Sequence, residues 1–308
     1  MIDETRYMVP GMPEDPKKDH IVRATALEGR VKACAISSAE LVRTAVECHN
    51  TSPVVPAALG RFMTGSLLIA DSMKGEDDTQ TTTIKCEGPI KGMTCVCDSK
   101  GHVRAYPLET LVEATYHRPG KLNVGAAVGE GMLTVIRDIG LREPYVGQTE
   151  LITGEIAEDF TYYLAKSEQT PSIVALGVKL ENGEVKYAGG MMVQLMPGAT
   201  EEDIDYLEKR VNGGFPEITY LFEEGFTPAK ILDLFLGDPG ITFWDANPVS
   251  FKCTCSKERF YDRLNVLGRN EIEDLAKEEK GIDVECHFCN KKYHFDAKEI
   301  AELLDTKD

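Results

Sequence analysis

The sequence lacks an apolar run long enough for a bilayer. Its most apolar stretch, Ala57–Ala70, is interrupted by Arg61 and is too short to span. The start, Met1 to His20, is polar and Pro-rich and has no apolar core of a secretory signal. A reducing cytoplasm is therefore the expected compartment, and membranes are not an expected partner. Basic charge is also short. The chain carries 34 Lys and Arg against 51 Asp and Glu, a net charge of −17. Such a surface repels phosphate backbones, so nucleic acid is not an expected partner. Internal repeats and low-complexity tracts are absent. No Ser/His/Asp or Cys/His arrangement suggests an enzyme. The run Gly125-Ala-Ala-Val-Gly129-Glu-Gly131 lacks the Lys-Ser/Thr of a phosphate loop and reads as turn glycines leading into a strand.

What is present is ordinary globular composition in 308 residues, 28% charged and 42% hydrophobic. Strand patterns fall at Ile21–Leu27, Val31–Ile36, Thr79–Cys86, Lys91–Cys97, His102–Tyr106, Met132–Asp138 and Pro144–Leu151. A hairpin, Ile173–Leu180 and Val185–Leu195, turns at Asn182-Gly183. Helical patterns cover Ser38–His49, Pro56–Ser72 and Glu155–Ala165, the last with Thr153 as its expected cap. Strands in runs with helices between them predict an α+β protein. Its N-terminal core domain, 1–197, should be mixed α/β with a largely antiparallel sheet.

Beyond Pro197-Gly198 the pattern changes. Thr200-Glu-Glu-Asp203 opens a helix in the manner of a capping box, and Gly213-Gly214 closes it. Shorter helices follow at Glu217–Glu223 and from Thr227-Pro228 to Gly237, the last apolar nearly all round. Residues 198–250 thus read as a helical linker that needs a partner surface for its order. The remaining residues, 251–308, form a small C-terminal module. In it Ser256 and Asn270 are expected helix caps, Ile282–Glu285 and Lys291–Phe295 a hairpin, and Ala297–Leu304 a last helix.

The chemistry lies in that module. Cys253-Thr-Cys255 is followed thirty residues later by Cys286-His-Phe-Cys289. Four sulfurs complete a tetrahedral zinc site, and a small module with little core gains most from such a staple. His287 and His294 are rival ligands. A closed four-thiolate site has no position for a substrate water. The same thiolates are oxidisable, and Lys252, Lys257, Lys291 and Lys292 lie beside them in sequence. Adjacent pairing, Cys253 with Cys255 and Cys286 with Cys289, is the short route to disulfides and would release the metal. Residue chemistry leaves a static structural zinc and a redox switch both open. It also leaves a zinc-ribbon interaction module and a thiol oxidoreductase using Cys286 and Cys289. The other cysteines, Cys34, Cys48, Cys86, Cys95 and Cys97, have no assigned role. Cys95 and Cys97 share one strand face and are expected to pack in the core. Met191, Met192 and Met196 are read as core filling. His20, His49, His102 and His117 have no metal spacing. Glu76-Asp77-Asp78 and Glu278-Glu279 read as solvated charge.

Phe251-Lys-Cys-Thr-Cys-Ser-Lys-Glu-Arg259 and Val284-Glu-Cys-His-Phe-Cys-Asn290, with Tyr293 and Phe295, resemble the redox domain of the 33 kDa heat-shock chaperonins. Upstream, Ala58-Leu-Gly-Arg61, Val103-Arg-Ala-Tyr106, Gly154-Glu-Ile-Ala-Glu-Asp159, Ser167-Glu-Gln-Thr-Pro-Ser172 and Gly189-Gly190 with Gln194 and Pro197 are similar to that family's N-terminal domain. The resemblance implies a bacterial, ATP-independent holdase. It is inactive when reduced with one zinc bound. Hypochlorite, or peroxide with unfolding stress, forms two disulfides, expels the zinc and unfolds the linker. The active protein then dimerises and holds unfolded clients. Cys34, Cys48, Cys86, Cys95 and Cys97 depart from the family's switch. Ala105, where the family has glycine, departs from its N-terminal motif and is read as neutral.

Overall fold

The computed structural model describes residues 4–278 and 280–305. Residues 1–3 and 306–308 lie outside the described residues, as does Glu279 of the acidic pair. Two compact units divide the chain, the first ending at Lys252 and the second beginning at Cys253.

In the first unit a 3-10 turn at Glu4–Tyr7 precedes the hairpin β1 (His20–Ala26) and β2 (Val31–Ser37). Helices α1 (Ala39–Glu47) and α2 (Val54–Ala70) follow, then β3 (Thr79–Cys86), β4 (Gly92–Asp98) and β5 (His102–Pro107). A small hairpin, β6 (Tyr116–Arg118) and β7 (Lys121–Leu122), leads to α3 (Val124–Val128). After β8 (Gly131–Asp138), β9 (Tyr145–Glu150) and α4 (Ala157–Lys166) comes the long hairpin β10 (Ser172–Glu181) and β11 (Glu184–Leu195). Asn182 and Gly183 turn it at φ 54° and 84°, the conformation that an Asn-Gly pair adopts most readily. The unit closes with α5 (Glu201–Asn212), α6 (Ile218–Glu223), α7 (Pro228–Leu236), β12 (Thr242–Pro248) and β13 (Ser250–Phe251).

The fold is α+β with antiparallel sheets, but there are two large sheets where one was expected. Their strand orders are β10-β11-β2-β1-β12 and β13-β5-β4-β3-β8-β9. Among the described residues only the short β13–β5 contact in them is parallel. Helix α2 runs between the two sheets, and every residue in it except Arg61 is buried. This explains its apolar run without a membrane. Among the described residues no helix is long and apolar enough to cross one. Small residues let α2 approach its neighbours: a Cβ on Gly65 would meet the Phe160 ring at 2.3 Å. Cys34, Cys95, Cys97 and Met192 lie in this same core, with the Cys95 and Cys97 sulfurs 3.8 Å apart.

The other face of the five-stranded sheet carries α5, α6 and α7. Leu207, Ile218, Leu221, Ile231, Leu232, Phe235 and Leu236 pack there on Val31, Ala33, Ala35, Met191 and Val193. The apolar helix α7 thus has the partner surface that its composition demands. Thr200 and Asp203 cap α5 reciprocally: Thr200 Oγ1 accepts from the Asp203 N–H at 3.3 Å and Asp203 Oδ2 from the Thr200 N–H at 2.8 Å. Arg30 donates to the same carboxylate at 2.7 Å and ties α5 to the start of β2.

Three local expectations are corrected. Thr153 does not cap α4. Its hydroxyl accepts from the Glu155 N–H, while the buried Asp159 carboxylate gathers the N–H groups of Ile152, Thr153, Gly154 and Ile156. An aspartate in the first turn reaches back over more donors than one threonine can. The glycines at 125–131 include a short helix, α3, held by Asn123 Oδ1 accepting from the Ala126 N–H at 2.8 Å. Third, β12 is a strand inside the segment read as helical. Asp245, Asn247 and Pro248 spoil its alternation, and pairing with β1 alone makes it a strand.

Asp19 gives this unit a pH dependence. Its Oδ2 accepts from the Leu41 N–H at 2.7 Å, and its Oδ1 is buried without a hydrogen-bond partner. Burial pushes the carboxyl up to about 6 against the pull of that N–H, and the charge of Glu40 adds to the rise. A raised carboxyl means that the folded chain holds the proton more tightly than the unfolded one. The contribution is fully present below about pH 4 and is lost as the pH rises past 6, about 3 kcal/mol in all. Asp19→Asn should therefore flatten the fall in Tm of this unit between about pH 4 and pH 6. Calorimetry that finds the same slope in both proteins would remove Asp19 as the cause.

In the second unit α8 (Lys257–Leu264) and α9 (Arg269–Leu275) precede the hairpin β14 (Ile282–Glu285) and β15 (Lys292–Phe295), and α10 (Ala297–Asp305) ends it. Its core is small: Ile272, Phe295, Ile300 and Leu303 are fully buried. Asn270 is not the cap of α9. The helix begins at Arg269, and Glu271 reaches back to accept from the Gly268 N–H at 2.7 Å.

Candidate metal centre

Two turns aim sulfurs at one point. Cys253 and Cys255 lie on the extended segment before α8, where Ser256 Oγ accepts from the Arg259 N–H at 3.2 Å and starts the helix as expected. With one residue between them, both side chains leave the same side of the chain. Cys286 and Cys289 occupy the β14–β15 turn. There the Cys286 carbonyl accepts from the N–H groups of Cys289 and Asn290, and Asn290 takes φ 54°. The four sulfurs all lie within 4.8 Å of one another. Cys253 and Cys286 are 3.7 Å apart, and Cys255 and Cys289 3.4 Å. A tetrahedron with metal–sulfur bonds of about 2.3 Å has edges of about 3.8 Å, so the set fits a four-coordinate thiophilic ion. Cys286 is buried and the other three are half-buried.

The rival ligands stand outside this set. No histidine joins the cluster among the described residues. His294 Nδ1 is 2.9 Å from the Asp283 carboxylate, on the exposed side of the hairpin. Two of the flanking lysines are occupied by carboxylates: Lys257 pairs with Glu299 at 2.6 Å and Lys292 with Glu285 at 3.7 Å.

The group that does act on a sulfur is Tyr293. Its hydroxyl lies 3.2 Å from Cys255 Sγ and 3.1 Å from the Cys255 carbonyl oxygen, so its one proton is shared between the two acceptors. Its ring leans on Phe260 of α8 with centroids 5.3 Å apart, which fixes the hydroxyl's position. Burial raises the Cys255 thiol, but the Tyr293 hydroxyl and the neighbouring sulfurs outweigh it and hold the group down at about 7. Burial pushes Cys253 up to about 11 and Cys289 higher still. Bonding to Cys255 pushes the Tyr293 phenol up to about 12. Cys255 thus carries negative charge more readily than Cys253 or Cys289. Sequence spacing points to the four cysteines but not to this tyrosine. An aromatic four residues past Cys289 gains its role only when β15 pairs with β14.

The remaining candidates of the sequence stay away from any such cluster. His20 and His49 are buried in the first unit. His102 Nδ1 is 2.8 Å from Asp98, and His117 Nε2 is 2.9 Å from Glu155. Met191 and Met192 fill the core as expected, but Met196 does not: it lies just past β11 and is exposed.

A two-sheet α+β unit followed by a four-cysteine hairpin module defines a protein whose clustered thiols could hold a metal ion. The hairpin around Cys286 and Cys289 is not the βαβ setting of a thiol oxidoreductase. Known proteins narrow the class. The chain belongs to the Hsp33 family, a family of chaperones: the model described as Hsp33 protein matches residues 19–296. The 33 kDa chaperonin of Lachnoclostridium phytofermentans is 46% identical over 287 residues, covering 93% of this chain and 98% of its own. That of Clostridioides difficile is 45% identical over 288 residues, covering 93% and 99%. The crystal structure of the 33 kDa chaperonin from Thermotoga maritima is similar with a TM-score of 0.85 and 34% identity, covering 94% of this chain and 99% of that one.

Proposed function

We propose that this protein is a redox-regulated, ATP-independent holdase of the bacterial cytoplasm. It binds unfolding client proteins under oxidative stress and keeps them from aggregating. On this reading residues 1–197 are the core, 198–250 the releasable linker and 251–308 the redox switch. The observation that carries it is the closed set of four sulfurs within 4.8 Å, in a unit whose own buried core is four side chains. Cys253, Cys255, Cys286 and Cys289 would hold one Zn2+, which keeps all four as thiolates and cross-links the two turns.

Oxidation acts on those residues. Hypochlorous acid takes two electrons from a pair of thiolates, which leaves a disulfide, chloride and hydroxide. Each disulfide removes two of the four metal ligands. The second unit then loses its staple, and unfolding spreads into the segment that precedes it. Release of α7 uncovers Ile231, Leu232, Phe235 and Leu236, together with the sheet face they cover. Apolar surface of this kind binds unfolded chains without specificity for sequence. The activated form is a homodimer on this reading, and neither nucleic acid nor a membrane is a partner. Nothing in it requires catalysis.

The test compares reduced, metal-loaded protein with protein treated with hypochlorite. Zinc appearance is followed with a chromogenic chelator, and light scattering of a thermally unfolding client is followed in parallel. Suppression should appear only after oxidation, together with zinc. Equal suppression in both states would sink the switch and leave a static zinc module. Turnover of a dithiol substrate would instead make the protein an oxidoreductase.

A further inference from the structure

The segment before residue 19, where the family match begins, has no part in the reading above. It is nevertheless built into the first unit. Tyr7 and Val9 are buried while Met8 between them is 79% exposed, so the segment lies on the unit with one side against it. Tyr7 and Val9 pack with Val22 of β1, Ala229 of α7 and Ala246 of β12. The Tyr7 ring meets Phe243 of β12 edge-on at 6.1 Å, and Lys230 Nζ of α7 lies 5.6 Å from its centre. Polar contacts converge on one carboxylate of α7. Asp233 accepts from the Tyr7 hydroxyl at 2.6 Å and from Arg6 at 2.8 Å. The Ala246 N–H donates to the Pro10 carbonyl at 2.7 Å. Gly11 follows at φ 83°, so close to β12 that a Cβ would sit 2.1 Å from the Ala246 carbonyl oxygen.

These contacts share a direction. They fasten α7 and β12, two elements of 198–250, to β1 of the core. Apolar burial, a charge-assisted hydrogen bond and a backbone hydrogen bond act on the same two elements. We propose that residues 4–12 are an intramolecular strap that holds α7 and β12 on β1 and sets the threshold for their release. This rests on the reading of 198–250 as the releasable linker. α7 cannot leave the sheet until Asp233 gives up Tyr7 and Arg6, so the strap opposes activation whatever the state of the cysteines. Its ionic part is half-exposed and weakens with salt. Its apolar part does not.

Hydrogen exchange on the reduced, metal-loaded full chain tests the strap without reference to chaperone activity. Tyr7→Ala should speed exchange of the α7 amides about tenfold or more, with the β3 and β4 amides unchanged. Tyr7→Phe keeps the ring and loses the hydroxyl, and should give a smaller increase of several-fold in the same amides. It also covers the case in which Tyr7→Ala folds poorly. Unchanged α7 exchange in both variants would overturn the strap. The same proteins are then titrated with hypochlorite. Tyr7→Ala should suppress client scattering at a lower dose than the parent, and an identical dose curve would also count against the strap as a threshold. Faster α7 exchange with no suppression by either oxidised protein would leave the strap standing and bring down the holdase reading.

Discussion

Stripping the metal from reduced protein with a strong chelator should abolish the cooperative transition of the C-terminal module and leave that of residues 1–197. The size of the effect follows from the module's anatomy. Its fully buried core is Ile272, Phe295, Ile300 and Leu303, far less than the first unit has. A structural zinc contributes on the order of 10 kcal/mol to folding in small thiolate modules, as much as the whole stability of a domain. Cys286→Ser should act in the same direction, because it removes the most buried of the four ligands. Amide chemical-shift dispersion in 253–308 measures the outcome. A module that kept its dispersion without metal would have to be stabilised by its side chains alone. Loss of the 1–197 transition at the same time would show that the core is not independent of it.

Oxidation should join Cys253 to Cys255 and Cys286 to Cys289. Sulfur contacts alone do not select these pairs, since the close approaches of 3.7 and 3.4 Å run between the two turns. The consequence of each pairing does separate them. A bond between Cys253 and Cys286 would close a loop across the module and constrain its unfolded state by about 4 kcal/mol, replacing one staple with another. Adjacent bonds close only small loops and leave the two turns unconnected, so the module can unfold. A holdase released by unfolding requires the second arrangement. Peptide mapping under non-reducing conditions decides it. Crossed bonds between the turns, with the module still folded and clients still protected, would mean that activation does not proceed through loss of this staple. Cys95 and Cys97 serve as an internal comparison. Their sulfurs are 3.8 Å apart but fully buried, and they should stay reduced while the first unit is folded.

Much of the site was legible because its information is local. Two short cysteine spacings encode two turns, and each turn presents its sulfurs together. The linker helices were legible for the same reason: Thr200 with Asp203, and Thr227 with Pro228 and Gly237, are start and stop signals spanning a few residues. Local signals failed where a carboxylate in the first turn reached back. Thr153 and Asn270 were reasonable caps, but Asp159 and Glu271 accept from N–H groups at and before the helix starts, including those of Ile156 and Gly268. The histidines and lysines near the cysteines were ambiguous in sequence because adjacency does not reveal direction. Asp283 holds one histidine and Glu299 one lysine, and neither contact follows from spacing.

By itself, then, the sequence determined the α+β class, most strands and helices, the four clustered sulfurs and the demand of the apolar α7 for a covering surface. Most of these depend on residues within one or two turns of chain, as does each cysteine pair taken by itself. Tertiary structure alone decided the division into two sheets about α2, the strand character of β12, the hydroxyl of Tyr293 on Cys255 and the fastening of α7 by Tyr7. Tyr7 and Asp233 are 226 residues apart, and β12 becomes a strand only by pairing with β1. No local preference encodes contacts of that range. They form because folding the rest of the chain lowers the entropic cost of bringing those residues together.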